Sequence, residues 1–324
     1  MRRRHSLAAL ALFAAAPVFA QSAAYPTKPI TIVVPYAAGG VADMVARTLG
    51  PKLTERLKQP VVVENVAGAS GTIGAAKVVA APADGYTLLA GSGSEVAIAK
   101  ITNPAIKYDG MKDLKPVAMI GTLPLVLTGR ADLPAKSLTE LLAYARANPG
   151  KLSYGTPGIG TPQHLMGELV NLETGAKMVH VPYKGAGPLM NDLRGGTIDL
   201  AFLSVASVDS FLKAGTLRAY GVTERKRLFM LPNVPSLSED KDFRNFDMNV
   251  WSGYFVPANT PDAVVKVLAD SIHAILQERE VKAKLIQAGY QISSDLPGMF
   301  PAYIRAEAGK YRRVVNAANI RVLD

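Results

Sequence analysis

The sequence predicts an α/β fold in two lobes joined by two chain crossings. Short runs of β-branched and apolar residues alternate with segments whose apolar residues recur every three or four positions, the pattern of strands and helices in turn. This alternation comes in two sets, the first starting near residue 30 and the second near residue 123. A last segment has one strand-like run, Val250 to Phe255, followed only by helical patterns. It therefore lacks a sheet of its own and is expected to complete the first lobe.

The first set opens with Ile30-Thr31-Ile32-Val33-Val34, a buried strand. Val41, Met44, Val45, Leu49, Leu53 and Leu57 then mark one face of a helix. Val61 to Val63 is a second strand, a Gly-rich turn (Gly68, Gly71, Gly74) leads to a short helix ending near Ala81-Pro82, and Tyr86 to Ala90 is a third strand. This βαβαβ order predicts a parallel sheet covered on both faces. In the second set, Leu123 to Thr128 is a strand, and Ser137 with Glu140 forms a capping box ahead of a helix that stops at Asn148-Pro149-Gly150. Leu152 to Tyr154, Met178 to Val181, Ile198 to Leu203 and Leu217 to Val222 are further strands. Thr161 followed by Pro162 is a helix N-cap with proline at the first helical position. Ala186 to Leu193 and Val205 to Ala214 are helices, the latter stopped by Gly215. Thr260-Pro261-Asp262 caps a long helix to about Glu278, another helix ends at Gly289, and a last one runs from Met299 to Ala317. The division this implies is a leader over 1–20, a first lobe from 21–122 with 251–324, and a second lobe from 123–250.

The leader has a positive start (Arg2, Arg3, Arg4), an apolar stretch from Leu7 to Ala16, and Val18-Phe19-Ala20, with a small residue at the cut and a tolerated valine at −3. That is the pattern of a secretory signal peptide cut after Ala20. The apolar stretch is shorter than the roughly 20 residues that span a bilayer. Gln21 follows the cut, where a cysteine would have signalled lipid attachment. The expected product is a monomer outside the cytoplasm, in the periplasm of a Gram-negative cell. Losing the three arginines lowers the formal charge from +10 to +7. The basic residues are scattered and no aromatics interleave with them, which argues against nucleic-acid binding and for a mild field that attracts small anions. The chain has no cysteine, which excludes disulfides, thiolate metal sites and cysteine nucleophiles.

Ligands of open α/β sheets bind beyond the carboxyl ends of parallel strands. Here four such ends carry small residues: Pro35-Tyr36-Ala37-Ala38-Gly39-Gly40, Gly91-Ser92-Gly93-Ser94, Gly155 to Thr161, and Pro182-Tyr183-Lys184-Gly185. Small side chains leave amide N–H groups bare, and each helix that follows adds about half a positive charge at its start. One Gly-Gly turn is ordinary; four of them, two in each lobe, suggest a site for a carboxylate or phosphate built with little help from Arg or Lys. Enzyme signatures fail. Gly158-Ile159-Gly160 lacks the third glycine of a dinucleotide fingerprint, since Gln163 stands there. There is no G-x-x-x-x-G-K-(S/T) segment, Ser92 is not in G-x-S-x-G, and no two histidines have metal-ligand spacing. No cofactor or metal is expected. His180 and His273 read as structural, and His164, just after the Thr161 cap, as a candidate contact. Asp43, in the first turn of the first helix, is either a ligand contact or compensation of the helix dipole.

The motifs resemble one known family. Pro35-Tyr36-Ala37-Ala38-Gly39-Gly40-Val41-Ala42-Asp43 is similar to the P-(F/Y)-x-x-G-G-x-x-D segment of the Bug family, periplasmic solute receptors of tripartite tricarboxylate transporters. The resemblance extends in order through Tyr25 to Ile30, Val61 to Asn65, Ala83 to Leu89, Gly160 to Leu165, His180 to Gly185 and Lys213 to Gly215. It implies a two-lobed, periplasmic-binding-protein-like receptor, not an enzyme, which closes on a small carboxylate and delivers it to membrane transporter subunits. It implies a pocket at Tyr36, Ala38, Gly39, Gly40 and Val41, completed by Ser92, Gly93 and Ser94, by Thr156, Gly158, Gly160, Thr161 and His164, and by Tyr183 and Ser204. The family often has Pro-Pro where this chain has Ala37-Ala38, and Asp-Asn where it has Leu203-Ser204. The missing acid leans the expected ligand away from amino acids toward plain mono- or dicarboxylates, aromatic ones included. Two rivals share parts of this reading: a secreted hydrolase using a serine with His164, and a receptor that serves a sensor kinase.

Overall fold

The computed structural model describes residues 25–244, 246–293 and 298–321, with the side chain of Asp242 excepted. The leader and its cut at Ala20 lie outside the described residues. In chain order the elements are β1 (Ile30–Val34), α1 (Val41–Leu57), β2 (Val61–Asn65), α2 (Thr72–Val79), β3 (Thr87–Ser92), α3 (Ala99–Thr102), α4 (Gly110–Asp113), β4 (Leu114–Leu123) and β5 (Leu125–Arg130). They continue with α5 (Leu138–Ala147), β6 (Ser153–Thr156), α6 (Pro162–Thr174), β7 (Val179–Pro182), α7 (Ala186–Gly195), β8 (Leu200–Ser204), α8 (Val205–Lys213) and β9 (Leu217–Val222). The last are β10 (Val250–Pro257), α9 (Asp262–Leu276), α10 (Arg279–Gln287), β11 (Gln291–Ile292) and α11 (Phe300–Ala317).

Two sheets form. One has the order β11-β4-β10-β3-β1-β2 and the other β7-β6-β8-β5-β9. The three strands of the first βαβαβ set are parallel as expected, and antiparallel neighbours join them at the crossings. β1 runs parallel to β2 and β3, and β6 to β7 and β8. β10 is antiparallel to both β3 and β4, and β5 is antiparallel to β8 and β9. The cause is the chain's passage between lobes. β4 leaves the first sheet at Leu123 and β5 enters the second at Leu125, while β10 returns with Val250 beside Leu123. Each strand at a crossing must therefore run against a neighbour.

Strand β4 is absent from the sequence reading. Its Pro116 cannot donate to a ladder, which argues against a strand from local pattern alone. The fold accommodates it where the β10 pairing shifts register between Tyr254 and Phe255. Two terminal caps also differ from expectation. Glu140 accepts from the Lys136 N–H rather than from Ser137, although Ser137 does cap the Glu140 N–H. Thr260 turns to the Pro257 carbonyl, and Pro261 precedes α9 with no side-chain cap.

Burial follows the two-residue strand period. On β5 and β8, Leu125, Leu127, Leu200 and Phe202 join the main core, while Val126, Ala201 and Leu203 join a second cluster on the opposite face of that sheet. The main core is continuous from Ile32 and Leu89 through Trp251 and Tyr311 to Tyr154 and Leu165. α9 packs on α1 and β4. α11 touches β4 and also α6 of the second lobe, and Lys310 reaches Asp247 ahead of β10 at 3.1 Å.

Candidate functional site

The parallel strands end at Val34, Asn65 and Ser92 in one sheet and at Thr156, Pro182 and Ser204 in the other. The loops after β2 and β6 meet. Ser70, after β2, donates from Oγ to the carbonyl of Ile159, after β6, at 3.0 Å. A methyl group at Gly158 would lie 2.8 Å from Ser70 Oγ, so the two edges are in direct contact. The segment that reaches across is unusual: Gly68, Ala69, Ser70 and Gly71 all have positive φ, at 136°, 44°, 52° and 94°. Left-handed Ala and Ser carry local strain that only surrounding contacts can hold.

The loop after β1 is exposed from Ala37 to Gly40. Gly39 adopts φ +83°, open to glycine at little cost. Gly40 opens α1 with no side-chain cap, which leaves the first amides of the helix, Val41 among them, to another acceptor. Asp43 is turned toward this loop's own support. Its carboxylate accepts the Gly39 N–H at 2.9 Å, Arg47 Nε at 3.0 Å on both oxygens, and Asn65 Nδ2 at 2.9 Å. Asn65 also donates to the Tyr36 carbonyl at 3.1 Å. The hydrogen bond from Arg47 foremost, with those from Gly39 and Asn65, holds the Asp43 carboxyl down to about 2.

Tyr36 and Ser92 stand side by side at the ends of adjacent strands, their hydroxyl oxygens 3.0 Å apart. Beneath them lies Glu95, 1% exposed. Tyr36 donates to Glu95 Oε2 at 2.7 Å, Ser92 Oγ donates to the same oxygen at 2.9 Å, and the Ser92 N–H donates to Oε1. Burial pushes the Glu95 carboxyl up to about 7. Sequence reasoning passed over Glu95. The signal was there, an acid in the first turn of a helix directly after a candidate loop, but only the fold buries it. Gly93 is packed from behind: a methyl group there would lie 2.9 Å from Tyr311 Oη and 3.2 Å from Trp251 Nε1. Ser94 is buried beside it.

In the second lobe, Thr161 caps α6 on the His164 N–H and donates to the Gly158 carbonyl at 2.8 Å. His164 Nδ1 accepts the Gly160 N–H at 3.2 Å, so this nitrogen carries no proton. Its ring stacks on His180 at 3.9 Å between centroids, and His180 stacks in turn on Tyr154 at 5.0 Å. His180 Nε2 lies 2.7 Å from Thr156 Oγ1. Burial, then repulsion from His180, depresses His164 to about 3, and burial depresses His180 to about 4. Both rings are neutral at ordinary pH. They are a packed stack that braces the 156–161 loop, which removes the geometric basis for His164 as the base of a serine hydrolase. Tyr183 sends its hydroxyl to Asp192 Oδ2 at 2.7 Å, within its own lobe. Ser204 opens α8 without capping it, its Oγ 2.5 Å from Ser207 Oγ. Asp43, Ser92 and Tyr183 are thus engaged within their own lobe, as are the amides of Gly39 and Gly160. Among the described residues no cluster of His, Asp and Glu could hold a metal ion.

Two α/β lobes, each with a sheet whose parallel strands end in small-residue loops, and a contact between the loops after β2 and β6 have the architecture of a two-lobed solute-binding protein. The chain belongs to the tripartite tricarboxylate transporter family of receptors, whose model matches residues 45–320. It is 36% identical to a UPF0065 protein from the tcbD-tcbE intergenic region of Pseudomonas sp. strain P51, over 90% of this chain and 87% of that one. It is 34% identical to protein BugT of Bordetella pertussis, over 95% and 94%. Among solved structures it resembles Rpa4515 of R. palustris with adipate (TM-score 0.84, 32% identity, 92% of this chain and 100% of that one). It also resembles the periplasmic binding protein BugD (0.82, 31%, 92% and 99%) and MatC of Rhodopseudomonas palustris with bound malate (0.81, 28%, 90% and 100%). These are solute-binding proteins rather than enzymes, and the family implies a periplasmic location.

Proposed function

We propose that this protein captures a small organic carboxylate between its two lobes and delivers it to the membrane subunits of a tripartite tricarboxylate-type transporter. The lobes divide at the two crossings, near 123 and near 251. One ligand carboxylate lies against the amides of Ala38, Gly40 and Val41, where the helix start supplies partial positive charge, while Asp43 keeps the Gly39 amide. Ser92 to Ser94, Thr156 to Thr161 and Ser204 close around the rest. No bond is made or broken. Ligand favours the closed form because only then do both lobes touch it. The observation that supports this reading is the Ser70–Ile159 hydrogen bond, which joins the loop after β2 to the loop after β6. The adipate and malate bound by the relatives point to dicarboxylates as the first class to try. One chain supplies both lobes, so the receptor works as a monomer.

Isothermal titration of the mature protein against adipate, malate, a tricarboxylate and an aromatic acid tests the proposal. Saturable binding of at least one acid at one site per chain is expected. Absence of binding across the panel overturns it.

A further inference from the structure

Glu95 is a buried carboxylate at the first-lobe edge of the cleft, and unlike Asp43, which is held by Arg47, it has no use in the binding scheme above. Its surroundings give it one. Tyr36 Oη, Ser92 Oγ and Glu95 Oε2 form a triangle with sides of 2.7, 2.9 and 3.0 Å. With Glu95 ionised, the triangle holds two protons, one from each hydroxyl, and both are drawn inward to the carboxylate. The half-buried faces of Tyr36 and Ser92 then offer only lone pairs outward. A carboxylate ligand also offers only lone pairs, so the contact is repulsive. With Glu95 protonated, three protons serve the same three oxygens. Two keep the triangle closed and the third is free to point at the ligand.

Among the described residues the side-chain partners of Glu95 are Tyr36 and Ser92, neither of them a cation. Tyr108, from the segment before α4, donates to the Glu95 backbone carbonyl at 2.9 Å and adds no charge. On α3, Lys100 is held by the Pro104 and Ile106 carbonyls. At α4, Lys112 pairs with Asp109, and Asp113 accepts the Asp109 N–H. On α2, Lys77 pairs with Glu64. On α11, which packs on the same turn, Lys310 pairs with Glu307 and Asp247, and Tyr311 lies against Gly93. The loop of Gly71 covers the triangle, for a methyl group there would lie 2.9 Å from Glu95 Oε2 and 3.2 Å from Tyr36 Oη. Solvent cannot easily screen the charge in that position.

We infer that Tyr36, Ser92 and Glu95 form a proton-coupled subsite, in which a ligand carboxylate takes a hydrogen bond from Tyr36 or Ser92 as Glu95 takes one proton from solvent. This rests on the carboxylate-receptor reading and adds a proton to its binding equilibrium. Carboxylates bind with a proton, whereas a ligand that presents a hydroxyl hydrogen or an ammonium to this wall does not need one. The receptor therefore holds carboxylates more tightly in acid than in base.

The test is calorimetric titration with adipate, or with malate if adipate gives no heat, at pH 6 and pH 8 in pairs of buffers that differ in ionisation enthalpy. The free Glu95 carboxyl titrates near 7. At pH 6 it is already mostly protonated and little uptake is expected. At pH 8 it is mostly ionised, uptake approaches one proton per ligand, and Kd is several-fold higher than at pH 6. Glu95→Gln keeps an acceptor for the Ser92 N–H and offers an amide hydrogen to the hydroxyls. It should bind with no uptake and a flat pH profile. Tyr36→Phe should weaken binding and retain uptake through Ser92. Binding with no proton uptake at pH 8, or uptake that persists in Glu95→Gln, overturns the inference and leaves the receptor reading intact. Failure of both acids to bind at either pH removes the receptor reading for this class and the inference with it.

Discussion

Replacing Asp43 by Asn separates support of the binding loop from contact with ligand. The wild-type carboxylate gathers four hydrogen bonds: one from Gly39, two from Arg47 and one from Asn65. Asparagine keeps one acceptor oxygen and loses the charge. The carboxyl sits at about 2 instead of its ordinary 3.8. At about 1.4 kcal/mol per pKa unit, this corresponds to roughly 2 kcal/mol of stability. The Arg47 side chain is 54% exposed, and solvent screening reduces that to about 1 kcal/mol. A depressed carboxyl stabilises the fold above the unfolded-state value and loses that contribution as pH falls through the folded-state value. The gap between wild type and Asp43→Asn should therefore be full at pH 6–7, shrink below pH 4 and vanish near pH 2. Urea unfolding of both proteins from pH 7 to pH 2.5 measures it. Titration with the cognate acid should also show affinity lower by about tenfold, or about 1.4 kcal/mol, as the Gly39 amide loses its anchor. A stability gap that stays constant with pH would refute the electrostatic argument. Unchanged affinity would refute the claim that Asp43 positions the loop.

Other outcomes follow from the same contacts. Ser70→Ala removes the hydroxyl that spans the cleft and should raise Kd by roughly threefold to tenfold through faster dissociation, read by stopped-flow, since an exposed neutral hydrogen bond is worth about 0.5–1.5 kcal/mol. Gly167→Ala places a methyl group 2.1 Å from Tyr154 Cε2, under the Tyr154–His180–His164 stack, and should cost about 1–3 kcal/mol in urea unfolding. Trp251 is the sole tryptophan, fully buried against Gly93, so its fluorescence should change on ligand binding; a signal insensitive to saturating ligand would count against movement at that crossing. Glu95 is raised to about 7, so it favours the fold below the unfolded-state value and loses that favour as pH rises through 7. Glu95→Gln should accordingly gain stability relative to wild type at pH 8 over pH 5, by at most about 3 kcal/mol, in unfolding titrations at the two values.

What the sequence determined by itself was local. A proline after a threonine, a glycine after a helical stripe and a run of β-branched residues act within a few positions, so the starts of α1 and α6, the stop after α8 and the small-residue loops at Gly39-Gly40 and Gly158 to Gly160 were legible. So was the two-set alternation that the two sheets follow, along with the family, which the match over 45–320 bears out. Tertiary structure decided whatever depends on partners far along the chain. β4 and β10 pair across more than a hundred residues, and their antiparallel sense comes from how the chain must leave and re-enter a lobe. Glu95 has no unusual neighbour in sequence; burial and a tyrosine 59 positions away give it its character. Likewise His164 and His180 become a stack, and Ser70 meets Ile159, only once two sheets stand opposite each other. Short-range rules fix which backbone can be bare, but the free energy of a buried charge or a contact across a cleft belongs to groups that only the closed fold brings within a few ångströms.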